Sequence, residues 1–447
     1  MKTHKLYFRK SDKILEILGI LIMYEAKLKE KINSKEIIKV LLFVLPYIVV
    51  EFTNIILITI DKSLANAIGP IAIIVFGAFV SLDSAINVIQ ECISQSHNIV
   101  LARDKNNSKD INTTGIFLQI ISSIIFSILL FIFSNKITYI YTLEKDARNI
   151  LTVLLKLKAI QLPIFAVSYV LKNDLKIKNK TNLILISTII SSLVNILGDI
   201  ISIKLGFSEI GVYVATILAT IVNTTLLLIF AKYKQTRIRM KYIKQIVFHV
   251  KDFVFNKVIQ KIAYILYERV ASSFGTYIYL LNCICGNVVL ILIQLADGYY
   301  SGLLVSYSES IENKEKNLLH KVNRVGIYSL LFSIIFAVIV PYPAWFFLGR
   351  VVTWNECGIY VYIYITEFFT HVINNNYLAY LSANKDTKSL RLTSFIGGIC
   401  IRLPLLYLIK YFNLGLIGLG LVCTVDRLVR TIYLKIYIRK NINIYKG

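Results

Sequence analysis

The chain reads as an all-α integral membrane protein, with twelve transmembrane helices in two six-helix lobes related by a pseudo-two-fold axis. Three observations carry that expectation. The 447 residues are 56% hydrophobic with a mean hydropathy of +0.66, too apolar for a soluble protein of this length. Twelve stretches of the sequence reach the roughly 20 apolar residues that a helix needs to cross a bilayer. The second half also echoes the first at a fixed offset.

In order, the first stretch is 38–60, with Pro46, Glu51 and Asn54 inside it and Asp61 at its far end. The second, 69–95, opens on Gly69-Pro70 and carries Asp83 and Glu91. The third, 114–134, is almost purely aliphatic, whereas the fourth, 148–171, is marked by Lys156 and Lys158. The fifth, 183–203, holds Asn195 and Asp199 four residues apart, on one face of a helix and one turn from each other. The sixth is 209–231, rich in Ala and Thr. The seventh, 253–274, carries Glu268 and Arg269, adjacent residues read as pairing with each other. The eighth is 278–304 with Asp297, the ninth 325–348, the tenth 357–381 with Glu367 and His371. The eleventh, 393–410, holds Arg402 just before Pro404, and the twelfth, 414–437, holds Asp426.

A net charge of +24 raises the question of nucleic acid, but its distribution answers it. Lys and Arg crowd the N-terminus, 102–114, 172–182, 232–261, 309–324, 384–391 and the C-terminus, and are sparse in the alternate connections. That asymmetry is the positive-inside signal, and it places both termini in the cytoplasm. Nucleic acid is therefore not an expected partner; membrane lipids are, and 232–261 is basic enough to meet anionic headgroups. The resulting division is a cytosolic or interfacial segment 1–37, a six-helix lobe 38–231, a basic cytosolic linker 232–252, a second lobe 253–437 and a tail 438–447. Within the first segment, 11–32 patterns as an amphipathic surface helix without a signal-peptide cleavage site.

The chemistry of an enzyme is not visible. Cys283-Ile-Cys285 lacks further Cys or His at ligand spacing, the five histidines form no cluster, and no nucleophile triad stands out. Neither an enzymatic activity nor a cofactor or structural metal is expected. What remains is ionisable side chains at membrane depth, which are costly and tend to mark ion or substrate paths.

The repeat pairs 175–222 with 380–429 at an offset of about 206 to 207 residues, and 102–111 with 310–319. Six spans per half keep the halves in the same orientation, and parallel repeats place the binding site between them near the midplane. In this alignment Arg402 falls opposite Asn195.

Three stretches of the sequence resemble the multidrug and toxic compound extrusion (MATE) family, of the larger MOP flippase superfamily. They are LPYIVVEFTNIILITIDKSLANAIGP (45–70), LVNILGDIISIKLG with IGVYVATILAT, and LSANKDTKS with IRLPLLYLI and GLIGLGLVCTVDRLVR. The likeness extends over 35–440 and rests on their order and spacing. It implies a MATE-like fold and one cation site, for H+ or alternatively Na+, formed by Asp61, Asn195 and Asp199. A sixth-helix hydroxyl, Thr220 or else Thr216, joins that site by the same resemblance. Lys62 departs from the family's usual small polar residue. Physics is compatible with the set: two carboxylates converging in low dielectric cannot both ionise cheaply, so the site tends to take up a cation.

Candidates for a substrate cleft are Glu367, His371, Arg402 and Asn54. The acid found in the seventh helix of some relatives is missing, with Gln260 near its place. The expected function is a secondary-active exporter: a multi-pass, monomeric protein of the bacterial inner (plasma) membrane moving a small-molecule or peptide substrate outward against H+ or Na+. The alternative is a flippase for a lipid-linked saccharide or peptide, for which Lys156, Lys158 and Arg402 would supply a basic cavity.

Overall fold

The computed structural model describes residues 38–45, 47–48, 59, 63–64 and 67–440, apart from 179, 314, 316–317, 349–350 and 385. Within these residues the chain is helical, and the helices coincide with the second to twelfth apolar stretches. The first is helical at 38–45, and the rest of it lies largely outside the described residues.

Helix α1 (Pro70–Ile86) starts with proline at its first turn, where the missing N–H costs nothing, behind Gly69 at φ 146°. It breaks at Asn87 by 42° into α2 (Val88–Arg103). The Asn87 amide donates to Asp83 Oδ2 at 2.9 Å, so the bend is pinned to the span's acid. Then come α3 (Ser108–Thr138), α4 (Lys145–Ile177), α5 (Thr181–Lys204) and α6 (Ser208–Ala231). The second half holds α7 (Met240–Ser272), α8 (Thr276–Glu312), α9 (Leu318–Ile339), the short α10 (Pro341–Leu348) and α11 (Trp354–Ala383). It ends with α12 (Thr387–Phe395), a π-helical segment Ile396–Arg402, α13 (Leu403–Tyr411) and α14 (Gly415–Lys440). The repeat is visible in the turns: α5 reaches α6 through Gly206 at φ 75°, and α13 reaches α14 through Gly415 at φ 53°.

Among the described residues seven spans are long and apolar enough to cross a membrane, and the bent α1–α2 pair makes an eighth. The chain is thus a multi-pass, all-α membrane protein. Helices α7, α11 and α14 fall short on composition, for one shared reason. They carry Lys257, Lys261 and Glu268, then Glu367 and His371, then Asp426, Arg427 and Arg430. Most of that polarity is turned toward other helices rather than lipid.

In the first half α3 packs on α4 and α5 on α6; in the second, α8 packs on α11 and α11 on α14. Helix α7 lies along α2 on one side and touches α12, the π segment and α13 on the other. At 1.5 Å per residue its 33 residues span about 50 Å, against a hydrocarbon core of about 30 Å. Its first turns therefore extend past the core at the basic end, within the stretch read as linker. There the chain is strapped to the first half. The Thr236 N–H donates to Thr113 Oγ1 at 3.1 Å and the Arg239 N–H to Thr114 Oγ1 at 3.2 Å. The Arg239 side chain pairs with Asp110, and the Tyr242 hydroxyl donates to Asp104 at 2.9 Å. Tyr242 and Ile246 complete a small apolar core with Ile93, Val100, Leu101 and Ile111.

Candidate functional site

Helix α5 is turned inside out relative to a soluble helix. Its buried residues are Ser187, Ser191, Asn195 and Asp199, all polar and each one turn from the next, while Leu193, Leu197 and Ile201 lie on the exposed face. Lipid solvates the aliphatic face, so the lobe interior receives the polar one. Asp199 has no exposure, and the Asn195 amide donates to its Oδ2 at 3.4 Å. Close packing seats this stripe: a Cβ on Gly198 would meet that of Ala215 on α6. Asp61 and Asn54, the residues proposed to complete the site and the cleft, lie outside the described residues, as do Glu51 and Lys62.

Thr220 belongs to a second polar set in the same lobe. Its hydroxyl accepts from the Gln161 amide at 2.7 Å and donates to the Thr216 carbonyl at 2.8 Å. Gln161 Oε1 accepts from Tyr213 at 2.9 Å and from Lys158 at 3.2 Å. Lys158 is buried and completes an ion pair with Asp83 at 2.7 Å. Lys158 is therefore already neutralised, while Lys156, two residues earlier, points outward over the Phe131 ring. Among the described residues, the Thr216 hydroxyl bonds within its own helix, at the Val212 carbonyl.

The second half contains a denser network. Glu367 accepts from Arg427 Nε at 2.7 Å; His371 bonds Asp297 at 2.9 Å and the Asn375 amide at 3.2 Å, and contacts Arg427 on its other face. At the preceding position on α14, Asp426 receives Arg402 at 2.7 Å and Arg430 at 2.6 Å. Gly397 makes this geometry possible, because a Cβ there would overlap Arg430 and Asp426. The π turn holds both Gly397 and Arg402 against α14; such turns recur at functional sites. Glu367 and His371 are thus brought together with Arg427, and Arg402 stands in the adjoining pair. The sequence reading missed Arg427 and Arg430; the signal available was Asp426 with Arg430 one helical turn on. Glu268 does not pair with Arg269. Consecutive helical residues diverge by about 100°, and Glu268 instead faces the hydroxyls of Tyr264 and Tyr279. Gln260 donates to Ser394 at 2.8 Å, linking α7 to α12.

The halves meet at both ends. Toward the basic end Lys257 on α7 pairs with Glu91 on α2. At the opposite end Thr276 donates to Glu144 at 2.7 Å, the Thr142 N–H to Ser272 at 3.2 Å and Ser63 to the Phe347 carbonyl at 2.7 Å.

The MatE family model matches residues 46–201, the span that includes Asp61, Asn195 and Asp199. Among solved structures, the chain is similar to the inward-facing conformation of a multidrug resistance MATE family transporter of the MOP superfamily. The TM-score is 0.74 at 14% identity, covering 87% of this chain and 94% of that one. The outward-facing conformation of a transporter described in the same words gives 0.65 at 15%, covering 91% and 96%. A Vibrio cholerae MATE transporter gives 0.68 at 13% identity, covering 93% and 99%. No curated protein matches the sequence. The resemblance read from the sequence is therefore shown: the family model covers most of the first lobe, and 87–93% of the chain matches the fold of solved MATE transporters.

Proposed function

We propose that the chain is a secondary-active exporter of the MATE type. It moves a small organic or peptide substrate outward in exchange for H+, with Na+ as the alternative ion, by alternating access between two lobes. The basic end faces the cytoplasm of a bacterium, the protein works as a monomer, and no cofactor beyond the coupling ion takes part. One observation carries this reading: the only buried face of α5 is a polar ladder ending on a wholly buried carboxylate. Burying Asp199 charged costs several kcal/mol unless something compensates it, on the order of the penalties for unpaired ions in low dielectric. A carboxylate held there by Asn195, with Asp61 as its partner, has reason to bind a cation and to release it when the lobe rearranges. Thr220, hydrogen-bonded to Gln161, ties that rearrangement to the Lys158–Asp83 pair.

The test is efflux from proteoliposomes under an imposed pH or Na+ gradient. Asp199→Asn should insert, fold and lose gradient-driven efflux; unchanged transport would sink the coupling mechanism. The flippase reading needs an open basic cavity. Two of its three candidates are engaged, Lys158 with Asp83 and Arg402 with Asp426, and Lys156 faces outward. That favours the exporter.

A further inference from the structure

The seam between α2 and α7 carries more positive than negative charge. Lys257 and Lys261 lie one turn apart on α7, on the side that meets α2. Lys257 takes Glu91. The next acid up the seam, Asp83, is taken by Lys158 at 2.7 Å. Lys261 is half-buried and lies in the field of Glu91, Lys257 and Asp83, yet makes no ion pair or hydrogen bond within the described residues. Both of these acids already have a lysine, so among the described residues Lys261 is a cation in surplus. The surroundings of the Asp83–Lys158 pair are aromatic: Phe165 carries the Lys158 ammonium at 4.9 Å, and its ring meets Tyr169 edge to face at 5.1 Å.

An ammonium at membrane depth with no counter-ion is expensive. It is tolerated where a ligand supplies the missing charge during the working cycle. We propose that Lys261 is the docking point for an oxyanion, a carboxylate or phosphate, on the transported molecule, with the Phe165 and Tyr169 rings receiving its apolar body. Lysine suits that role as a compact point charge whose donors turn to meet either group. The inference rests on the transporter reading and names its substrate class: acid-bearing rather than purely cationic. The oxyanion has two sources, a soluble organic acid or a lipid headgroup.

The test uses two dyes on the full chain in phosphatidylcholine nanodiscs, the anion carboxyfluorescein and the cation ethidium, with binding read by fluorescence anisotropy. Carboxyfluorescein should bind, weaken roughly tenfold or more in Lys261→Gln, and be retained within a few-fold in Lys261→Arg. Loss of a charge that has no partner among the described residues should leave the melting temperature of Lys261→Gln at or above that of the wild type, which separates lost binding from misfolding. Displacement of the dye when phosphatidylglycerol is added to the nanodiscs assigns the site to a lipid phosphate; retention assigns it to soluble acids. Equal carboxyfluorescein binding by Lys261→Gln and the wild type overturns the proposal, as does binding of ethidium alone. The coupling mechanism fails separately. If Asp199→Asn still exports while Lys261→Gln loses the dye, the oxyanion site stands and the coupling falls; the converse result reverses both.

Discussion

Arg402 on the π segment stands 2.7 Å from Asp426 on α14, and Asp426 has no exposed surface. Arg430 grips the same carboxylate from one turn below. Two guanidinium groups therefore depend on one buried acid. Asp426→Asn strands both, and breaking a buried ion pair from one side costs about 3–5 kcal/mol. Lys321→Met removes a comparison pair whose acid, Glu315, is 40% exposed, and should cost only about 0–1 kcal/mol. Thermal unfolding in detergent ranks the two, and equal melting temperatures would show that the Arg402–Asp426–Arg430 set carries no structural weight.

Gly397 gives the same network a backbone test. A methyl group at 397 has no space beside Arg430 and Asp426, whereas one at Gly286 on α8 meets nothing within 4 Å. Gly397→Ala should destabilise by about 1–3 kcal/mol, as overpacking does. Gly286→Ala should be neutral or stabilise by about 0.4–1 kcal/mol through the unfolded chain. Melting curves for the pair decide it, and a tolerated Gly397→Ala would mean that the π turn adjusts freely.

These contacts mark the limit of what the sequence makes legible. The order of the spans, the basic connections and the inward ladder from Ser187 to Asp199 follow from hydropathy and from four-residue spacing, both local properties. Pairings such as Asp83 with Lys158, or Glu367 with Arg427, join residues far apart in the chain, and no local pattern specifies them. Adjacency misled at Glu268 and Arg269, which a helix points in different directions. Charge in α7, α11 and α14 looks like weakness in a hydropathy scan because the scan does not see that most of these faces are directed at one another.

The strap at the basic end predicts a pH dependence. Asp104 accepts from the Asn107 backbone and side chain and from the Tyr242 hydroxyl, and these donors hold its carboxyl below the ordinary value of 3.8. A carboxyl whose folded pKa is depressed adds stability above its unfolded pKa, and that stability is lost as the pH falls through the folded one. The strap should therefore be intact at neutral and mildly acidic pH and loosen only as the pH drops below 3.8. Tyr242→Phe should speed amide exchange over 104–107 and 240–246 at neutral and mildly acidic pH, with the difference from the wild type closing as the pH falls below 3.8. A difference that persists at the acid end would assign it to the lost Tyr242 packing rather than to the carboxylate.

Glu91 and Lys257 give the most direct test of how the halves separate. Their pair lies toward the basic end, on the two helices that also share the Tyr242 core, while separate hydrogen bonds through Glu144, Ser272 and Phe347 close the opposite end. The proposed alternating access requires one of these sets to open while the other holds. Glu91→Lys places two cations face to face, and should bias the protein toward opening at the basic end. A cysteine reporter on the α2–α7 seam should then react faster with a membrane-impermeant thiol reagent applied from that side. The exchanged pair, Glu91→Lys with Lys257→Glu, restores attraction and should return the labelling rate to that of the wild type. Additive effects of the two changes would instead mean that the residues do not act on each other, since a direct contact shows itself as coupling in the double variant.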